Sequence, residues 1–466
     1  MNYNYKEKYL LEVNGRYDGT SRFMKDQRWN FFPSFSLGWN VARENFWKPL
    51  ESVVNQFKLR GSWGELGNQN TSNLYPFYEI LPVKSNSGNW LVNGGKTNTA
   101  DIPSLVSTLL TWERVRSFNV GFDFGAFSNR LTGSFDYFVR KTVDMVGPAP
   151  QLPLVLGIAP AIVNNADMKS YGFEIELSWR DRIGEVDYGV KFNLADAQQK
   201  VVKYPNTTNA FSDWYAGKMS GEIWGYTSLG IAKTDEEMKE HLASLPNGGQ
   251  NQLGNKWGAG DIMYADINGD GKVDGGKGTL ADPGDQRIIG NSTPRYNFGL
   301  VLDASYKGFD VSIFFQGVGK RDYAPIVGTN GAVFWGAVNN IWQSMAMEEH
   351  FDYFRPEGHP MGANLNGYYP RPDFTSNKNH QVQTRYLQDA SYIRLKNLQI
   401  GYTLPKQWIN KLHINRCRVY VSGDNLWTGT SLASMFDPET LAAGDWGSGK
   451  TYPLSKVISF GLNVNF

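Results

Sequence analysis

The sequence predicts an all-β protein, an antiparallel transmembrane β-barrel that is incomplete, with about 12 strands joined by short periplasmic turns and long extracellular loops. Three observations predict it. The first is the end of the chain. Ile458, Phe460, Leu462, Val464 and Phe466 fall on one side at a spacing of two, against Ser459, Gly461, Asn463 and Asn465. Successive side chains of a strand point to opposite faces, so one face is wholly apolar. The second is that this alternation recurs along the chain. The third is that short and long connections alternate between the repeats.

The elements follow in order. Tyr9, Leu11, Val13 and Tyr17 alternate with Lys8, Glu12, Asn14 and Arg16. Phe35, Leu37, Trp39 and Val41 come next, then Phe57, Leu59 and Trp63 against Lys58, Arg60 and Ser62. Phe118, Val120, Phe122 and Phe124 oppose Ser117, Asn119, Gly121 and Asp123, and Phe135, Tyr137 and Val139 oppose Ser134, Asp136 and Arg140. Tyr171, Phe173, Ile175, Leu177 and Trp179 oppose Gly172, Glu174, Glu176 and Arg180, with Val186, Tyr188, Val190, Phe192 and Leu194 following. Later strands carry Phe298, Leu300 and Leu302, then Phe309, Val311, Ile313 and Phe315. The 393–404 stretch alternates with a change of register near Asn397, which predicts a bulge. Cys417, Val419 and Val421 form the penultimate strand. Several repeats reach about ten residues, longer than the five or six usual in a globular sheet.

Short links fall at 127–130, 181–184 and 307–308, and the 405–416 link is short enough for one helical turn. Long loops run over 67–111, 145–168, 202–294, 319–386 and 427–454. The 202–294 loop contains the apolar stretch 223–232. It also holds a short helix capped by Thr234, with Glu237 three residues on.

Composition bounds the rest. There are 46 Lys and Arg against 45 Asp and Glu, a formal charge of +1, which gives no argument for nucleic acid. Mean hydropathy is −0.43, and no apolar run is long enough for a membrane helix. The single cysteine, Cys417, excludes an intrachain disulfide and reads as a small apolar residue on a strand face. The first residues lead into strand-like sequence without a basic, apolar and small-residue leader, so an exported chain of this kind is expected to be a fragment.

Chemistry-bearing motifs are few. Asp266, Asn268 and Asp270 match positions 1, 3 and 5 of a calcium loop, Gly271 its turn glycine, Lys272 a carbonyl ligand and Asp274 position 9. Lys277 stands where the bidentate Glu belongs, and Asp282 or Asp285 would have to substitute. The competing reading is a turn held by its own Asx hydrogen bonds. None of the five His has metal spacing, and His350 and His359 read as solvated loop residues. Glu174 and Glu176 share a strand face, whereas glycosidase carboxylates oppose each other across a cleft. They read as a charged lumen wall, and the chain is not expected to be an enzyme. Trp214, Tyr215, Trp224, Trp257, Trp335 and Trp342 fall in loops, where they would stack on substrate or pack the loops themselves.

Several stretches together resemble SusC-like (SusC/RagA) TonB-dependent outer-membrane transporters. Phe32, Pro33, Ser34, Phe35, Ser36, Leu37, Gly38 and Trp39 followed by Phe46 are one; Lys58, Leu59, Arg60, Gly61, Ser62, Trp63 and Gly64 with Gly67 and Asn68 are another. Gly172, Phe173 and Glu174, the run from Gly260 and Asp261 to Asp274, Ile288 to Asn291 with Pro294, Tyr306 to Phe309, and Ile393 to Asn397 with Tyr402 complete the series. The resemblance covers the whole chain in order. It implies location in the outer membrane of a Bacteroidetes-type bacterium and import of glycan or peptide fragments. A SusD-like lipoprotein would act as lid and TonB would supply energy, with no cofactor required beyond the calcium that the 266–274 motif suggests. Such transporters have about 22 strands and a plug. The plug, the TonB-contacting segment and about ten strands have no counterpart here. The polar strand face, with Arg60, Asp136, Arg140, Glu174 and Glu176, would then line the substrate path. A soluble, secreted β-rich glycan-binding protein is the alternative, and it requires the apolar faces to meet in a core.

Overall fold

The computed structural model describes residues 1–466 apart from 72–73, 148–152, 154, 156, 159, 326–331, 337–346, 374–377, 411–412 and 442–450. Thirteen strands carry the main antiparallel sheet: β1 (Asn2–Tyr5), β2 (Tyr9–Gly19), β3 (Trp29–Asn40), β4 (Val54–Asn68), β5 (Glu113–Ala126), β6 (Leu131–Val146), β7 (Asn164–Ile183), β8 (Val186–Lys203), β9 (Arg295–Tyr306), β10 (Phe309–Lys320), β11 (Tyr392–Thr403), β12 (Arg416–Thr430) and β13 (Val457–Asn465). The predicted strands are all present. The count of about 12 is corrected by β1, whose four residues hold only Tyr3 and Tyr5 on one side, too few for a periodic signal.

The chain divides into two compact units, Met1–Ile175 with Ala197–Met219 and Glu176–Asp196 with Ser220–Phe466. In the first, β1 to β6 pair with their chain neighbours. The register sets like against like: Val13 faces Phe35, Phe35 faces Trp63, Leu59 faces Phe122 and Phe122 faces Phe135. Phe35 and Trp63 stack at 5.4 Å, and Phe122 and Phe135 at 5.6 Å. Cross-strand aromatic pairs of this kind stabilise a sheet by roughly 0.2–1 kcal/mol each. Yet this side has nothing packed over it: Phe35, Leu37, Leu59, Phe118 and Val120 are exposed. The small core of this unit lies elsewhere, among Phe23, Phe32, Leu110 and Trp112.

In the second unit, β9 to β13 pair in the same way, with the expected bulge between Leu395 and Asn397. Their apolar side is bare too, since Ile458, Phe460, Leu462 and Phe466 are exposed. The core of this unit is made by its loops. Tyr226, Ile262, Tyr264, Val273, Phe334, Trp335, Tyr369, Tyr386, Leu432 and Phe436 form one buried cluster. The 223–232 stretch lies within this loop body, as expected. Glu222–Gly225 pairs with Arg287–Asn291, and Ser228–Ile231 with Ile262–Tyr264, outside the main sheet. Helix α1 (Asp235–Ala243) begins where the capping signal placed it, with the Thr234 hydroxyl accepting from Glu237 N at 3.1 Å. Lys406–Ile409 supplies the helical turn expected between β11 and β12. Cys417 is buried on β12.

Candidate functional site

The polar side of the sheet carries the charges expected of it. In the first unit Arg60 projects from β4 and is bidentate to Asp123 on β5, with Nε to Oδ2 at 2.8 Å and Nη2 to Oδ1 at 2.9 Å. The same guanidinium is bidentate to Asp136 on β6, at 3.0 and 2.8 Å. Two predicted residues, Arg60 and Asp136, therefore meet, and Asp123 joins them. Arg140, Glu174 and Glu176 are exposed on their strands and make no ion pair among the described residues. Asp123 was legible as a strand residue, but its role depends on pairing across strands joined by a long loop.

The 266–274 turn is folded by its own carboxylates. Asp266 accepts from Gly269 N (2.7 Å) and Gly271 N (2.8 Å), and Asn268 Oδ1 accepts from Asp270 N (3.0 Å). Asp285, fully buried, accepts from Ile267 N and Asp274 N, both at 2.8 Å. Lys272 places its ammonium on Asp274 and 3.8 Å from Asp270. That contact holds the Asp274 carboxyl below its ordinary pKa, against the opposing pull of burial, and raises Lys272. Among the described residues no three His, Cys, Asp or Glu side chains gather closely enough to hold a metal ion.

Beside this turn lies a buried ionic centre that sequence reasoning missed. Asp261 accepts from Gly258 N (2.9 Å), Arg371 Nε (2.8 Å) and Nη2 (2.7 Å), Lys378 Nζ (2.9 Å) and Asn379 Nδ2 (2.9 Å). Lys378 is itself buried and lies 5.1 Å from the Trp257 ring centroid. Five donors on one carboxylate satisfy the pairing that a buried charge requires. His380, two residues on, is buried and stacked on Trp335 at 4.4 Å, and its Nδ1 has no hydrogen-bond partner. Burial pushes its imidazole down to about 4, with Asp373 pulling weakly the other way.

The loop aromatics resolve individually. Trp335 is buried in the loop core and Trp257 packs against Tyr264, so these two hold the loops together. Trp214 meets Tyr204 edge-on, and Tyr215 lies under Lys218. Trp224 is half-buried, and Trp342 lies outside the described residues. The solvated reading is corrected for His350, whereas His359 makes an exposed hydrogen bond within its own turn. His350 Nδ1 accepts from Met347 N at 3.0 Å, with Nε2 within 3.2 Å of the Val333 and Phe334 carbonyls, and His359 Nδ1 accepts from Met361 N at 3.1 Å. Only the Val333 and Phe334 carbonyls at His350 are brought near by the folded loop.

A sheet whose apolar side is bare and whose loops are folded defines an outer-membrane β-barrel protein. No helix among the described residues is long and apolar enough to cross a membrane. Residues 1–426 match the family described as TonB dependent receptor-like, beta-barrel, and the chain belongs to that family. It is 30% identical to TonB-dependent receptor P3 of Formosa agariphila over its whole length, which covers 45% of that protein. It is 24% identical to TonB-dependent receptor SusC of Bacteroides thetaiotaomicron, covering 43% of it. The structure of the RagAB peptide transporter superposes on the whole chain with a TM-score of 0.75 at 22% identity, over 47% of that chain. The chain thus spans less than half the length of these relatives. The SusC-like resemblance and the outer-membrane location hold, and the apolar strand faces do not meet in a core as a soluble protein would need.

Proposed function

We propose that this chain forms the wall and outer mouth of a TonB-dependent importer that takes up glycan or peptide fragments together with a SusD-like lipoprotein. One observation carries the reading: apolar side chains of the strands are bare while the loops at the far ends of the same strands bury a core of their own. A bare apolar face suits lipid, and a structured mouth suits capture of a ligand from outside. Arg140, Glu174 and Glu176, exposed on the polar strand faces, would line the path, as would the paired Arg60 and Asp136. The relatives named SusC and RagAB support the transport class and the partnership, and the RagAB name supports a peptide cargo.

The test uses the receptor that contains this chain, tagged and kept in its own outer membrane. Uptake of fluorescein-labelled oligopeptides and maltooligosaccharides is measured with and without TonB, and the solubilised complex is probed for a lipoprotein. TonB-dependent uptake of one probe with a co-purifying lipoprotein supports the proposal. A chain that stays monomeric in detergent-free buffer overturns it. At the 266–274 turn we read a latch closed by Lys272 and Asp285, and a calcium ion would have to displace Lys272 from Asp274. Calorimetric titration to about 1 mM calcium, the range of extracellular calcium modules, separates the two, and the latch predicts no binding heat.

A further inference from the structure

Hydrophobic alternation sets which face of a strand is apolar, but it sets register only modulo two. A one-residue slip turns every apolar side chain inward and is forbidden, whereas a two-residue slip keeps Phe, Leu and Val on the same side. Tight turns remove this ambiguity within a hairpin. They do nothing where neighbouring strands are joined by a long loop, because the cost of closing a long loop changes little with a shift of two residues. Strands β4 and β5 are joined through 69–112, β6 and β7 through 147–163, β8 and β9 through 204–294, and β10 and β11 through 321–391.

Ion pairs cross these seams. Between β4 and β5 lie Arg60–Asp123 and Glu65–Arg116, the latter two directly opposite in register at 2.7 Å. Lys141 on β6 lies 3.9 Å from Asp167 on β7, and Arg295 on β9 grips Asp196 on β8. Two of the arginines reach further, across a whole strand, through a glycine. Gly121 on β5 stands between Arg60 on one side and Asp136 on the other in the same register row, and a Cβ there would meet the Phe135 carbonyl oxygen first and lie 2.6 Å from Asp136 Oδ1. On β11, Gly401 faces Asp310 on β10, and the Arg418 guanidinium from β12 lies across it, donating from Nε to Asp310 Oδ1 at 2.9 Å. A Cβ at Gly401 would lie 2.6 Å from that guanidinium carbon. Each such pair ties three strands, Arg60 and Asp136 in one register row and Arg418 diagonally, since Tyr420 and not Arg418 stands opposite Gly401.

We propose that the two ion pairs on the polar side of the sheet that reach through a glycine, Arg60–Asp136 through Gly121 and Arg418–Asp310 through Gly401, are register locks for strands whose connecting loops cannot set their alignment. On this reading Arg60 and Asp136 are positioning residues of the wall and not charges offered to a passing substrate. A slip of two residues moves the carboxylate about 7 Å along the strand and breaks the bidentate contact, while leaving the apolar face intact.

Cysteine cross-linking of the full chain in its membrane tests this, because the native thiol of Cys417 is buried. Ser62 faces Asn119 in the native register, and Ser117 is the position two residues along. Directly opposed strand residues lie within disulfide reach. Ser62→Cys with Asn119→Cys reports the native register, and Ser62→Cys with Ser117→Cys reports the slipped one. Adding Arg60→Gln or Asp136→Asn is expected to raise the slipped-to-native ratio about fivefold. Exchanging the charges with the third partner neutralised, Arg60→Asp and Asp136→Arg in an Asp123→Asn background, restores it. Gly61→Ala, with no atom within 4 Å of its Cβ, leaves the ratio unchanged. If a Gln variant fails to insert, Arg60→Lys, which keeps the charge and loses the fork, is read against the same ratio. An unchanged ratio in inserted Arg60→Lys or Asp136→Asn chains overturns the proposal, whatever those variants do to stability.

Discussion

Phe460 and Tyr264 are both large aromatic strand residues of the second unit, and their surroundings are opposite. Phe460 on β13 is 85% exposed, whereas Tyr264 in the loop body is fully buried, with its hydroxyl donating to Lys378 O at 2.7 Å. The long strands present their apolar side to whatever surrounds them, and the loops present theirs to one another. The difference shows two folding problems solved by separate means. The sheet completes its apolar face with lipid and its polar face with ion pairs, while the loop body builds an ordinary protein interior. In the first unit the loop between β4 and β5 resembles neither case, because Leu74, Tyr78, Ile80, Trp90, Leu91 and Leu109 all stand exposed there.

If the loop body holds itself together, damage inside it should stay inside it. Asp261→Ala leaves Lys378 and Arg371 buried without their carboxylate and is expected to cost about 3–5 kcal/mol. Limited proteolysis mapped by mass spectrometry should then show cutting within 250–390, while the strands of the sheet are cut no faster than in the wild type. Faster cutting in both would join what the comparison separates. The converse change is Leu462→Arg on the bare side of β13, which costs roughly 2–4 kcal/mol at the middle of a bilayer. It should reduce the membrane-inserted fraction and leave the loop proteolysis pattern alone. Equal insertion of wild type and variant would remove the lipid assignment of that face.

Acid should act on the loop body through His380. His380 is neutral in the folded body because burial lowers it to about 4 from its ordinary 6.5. Between those values the unfolded loop binds a proton that the folded one does not. Stability of the loop body therefore falls as pH drops from 6.5 towards 4 and levels off below, by at most roughly 3 kcal/mol. Tryptophan-detected denaturation across that range measures it, and His380→Phe should flatten the slope. The smallest effect is expected at Thr234→Ala, which removes the cap of α1 and costs about 1 kcal/mol. Hydrogen exchange faster at Glu237 N but unchanged in the strands would place that loss within the helix.

Much of the sheet was legible in advance because a repeat of two needs only local sequence. The twelve longer strands, the bulge at Asn397 and the capped helix at Thr234 all depend on residues within a few positions of one another. β1 was missed because two tyrosines make no period. The ionic centre was missed for the opposite reason: Asp261 and Lys378 lie 117 residues apart, and nothing near either announces the other. The 266–274 motif was visible, but its pattern of Asp, Asn and Gly serves an Asx-bonded turn as well as a metal loop. Which carboxylates close on Lys272 and which on backbone amides depends on Asp285, set in place by the fold.

A loop body that carries its own interior also changes how such a protein can diversify. Outward-facing positions such as Phe351 and Met361 are exposed and sit on a frame whose stability is vested in Asp261, Tyr264, Trp335 and their neighbours. Substitutions at those tips can accumulate without disturbing strand assembly, so the outer surface can vary while the wall is inherited unchanged.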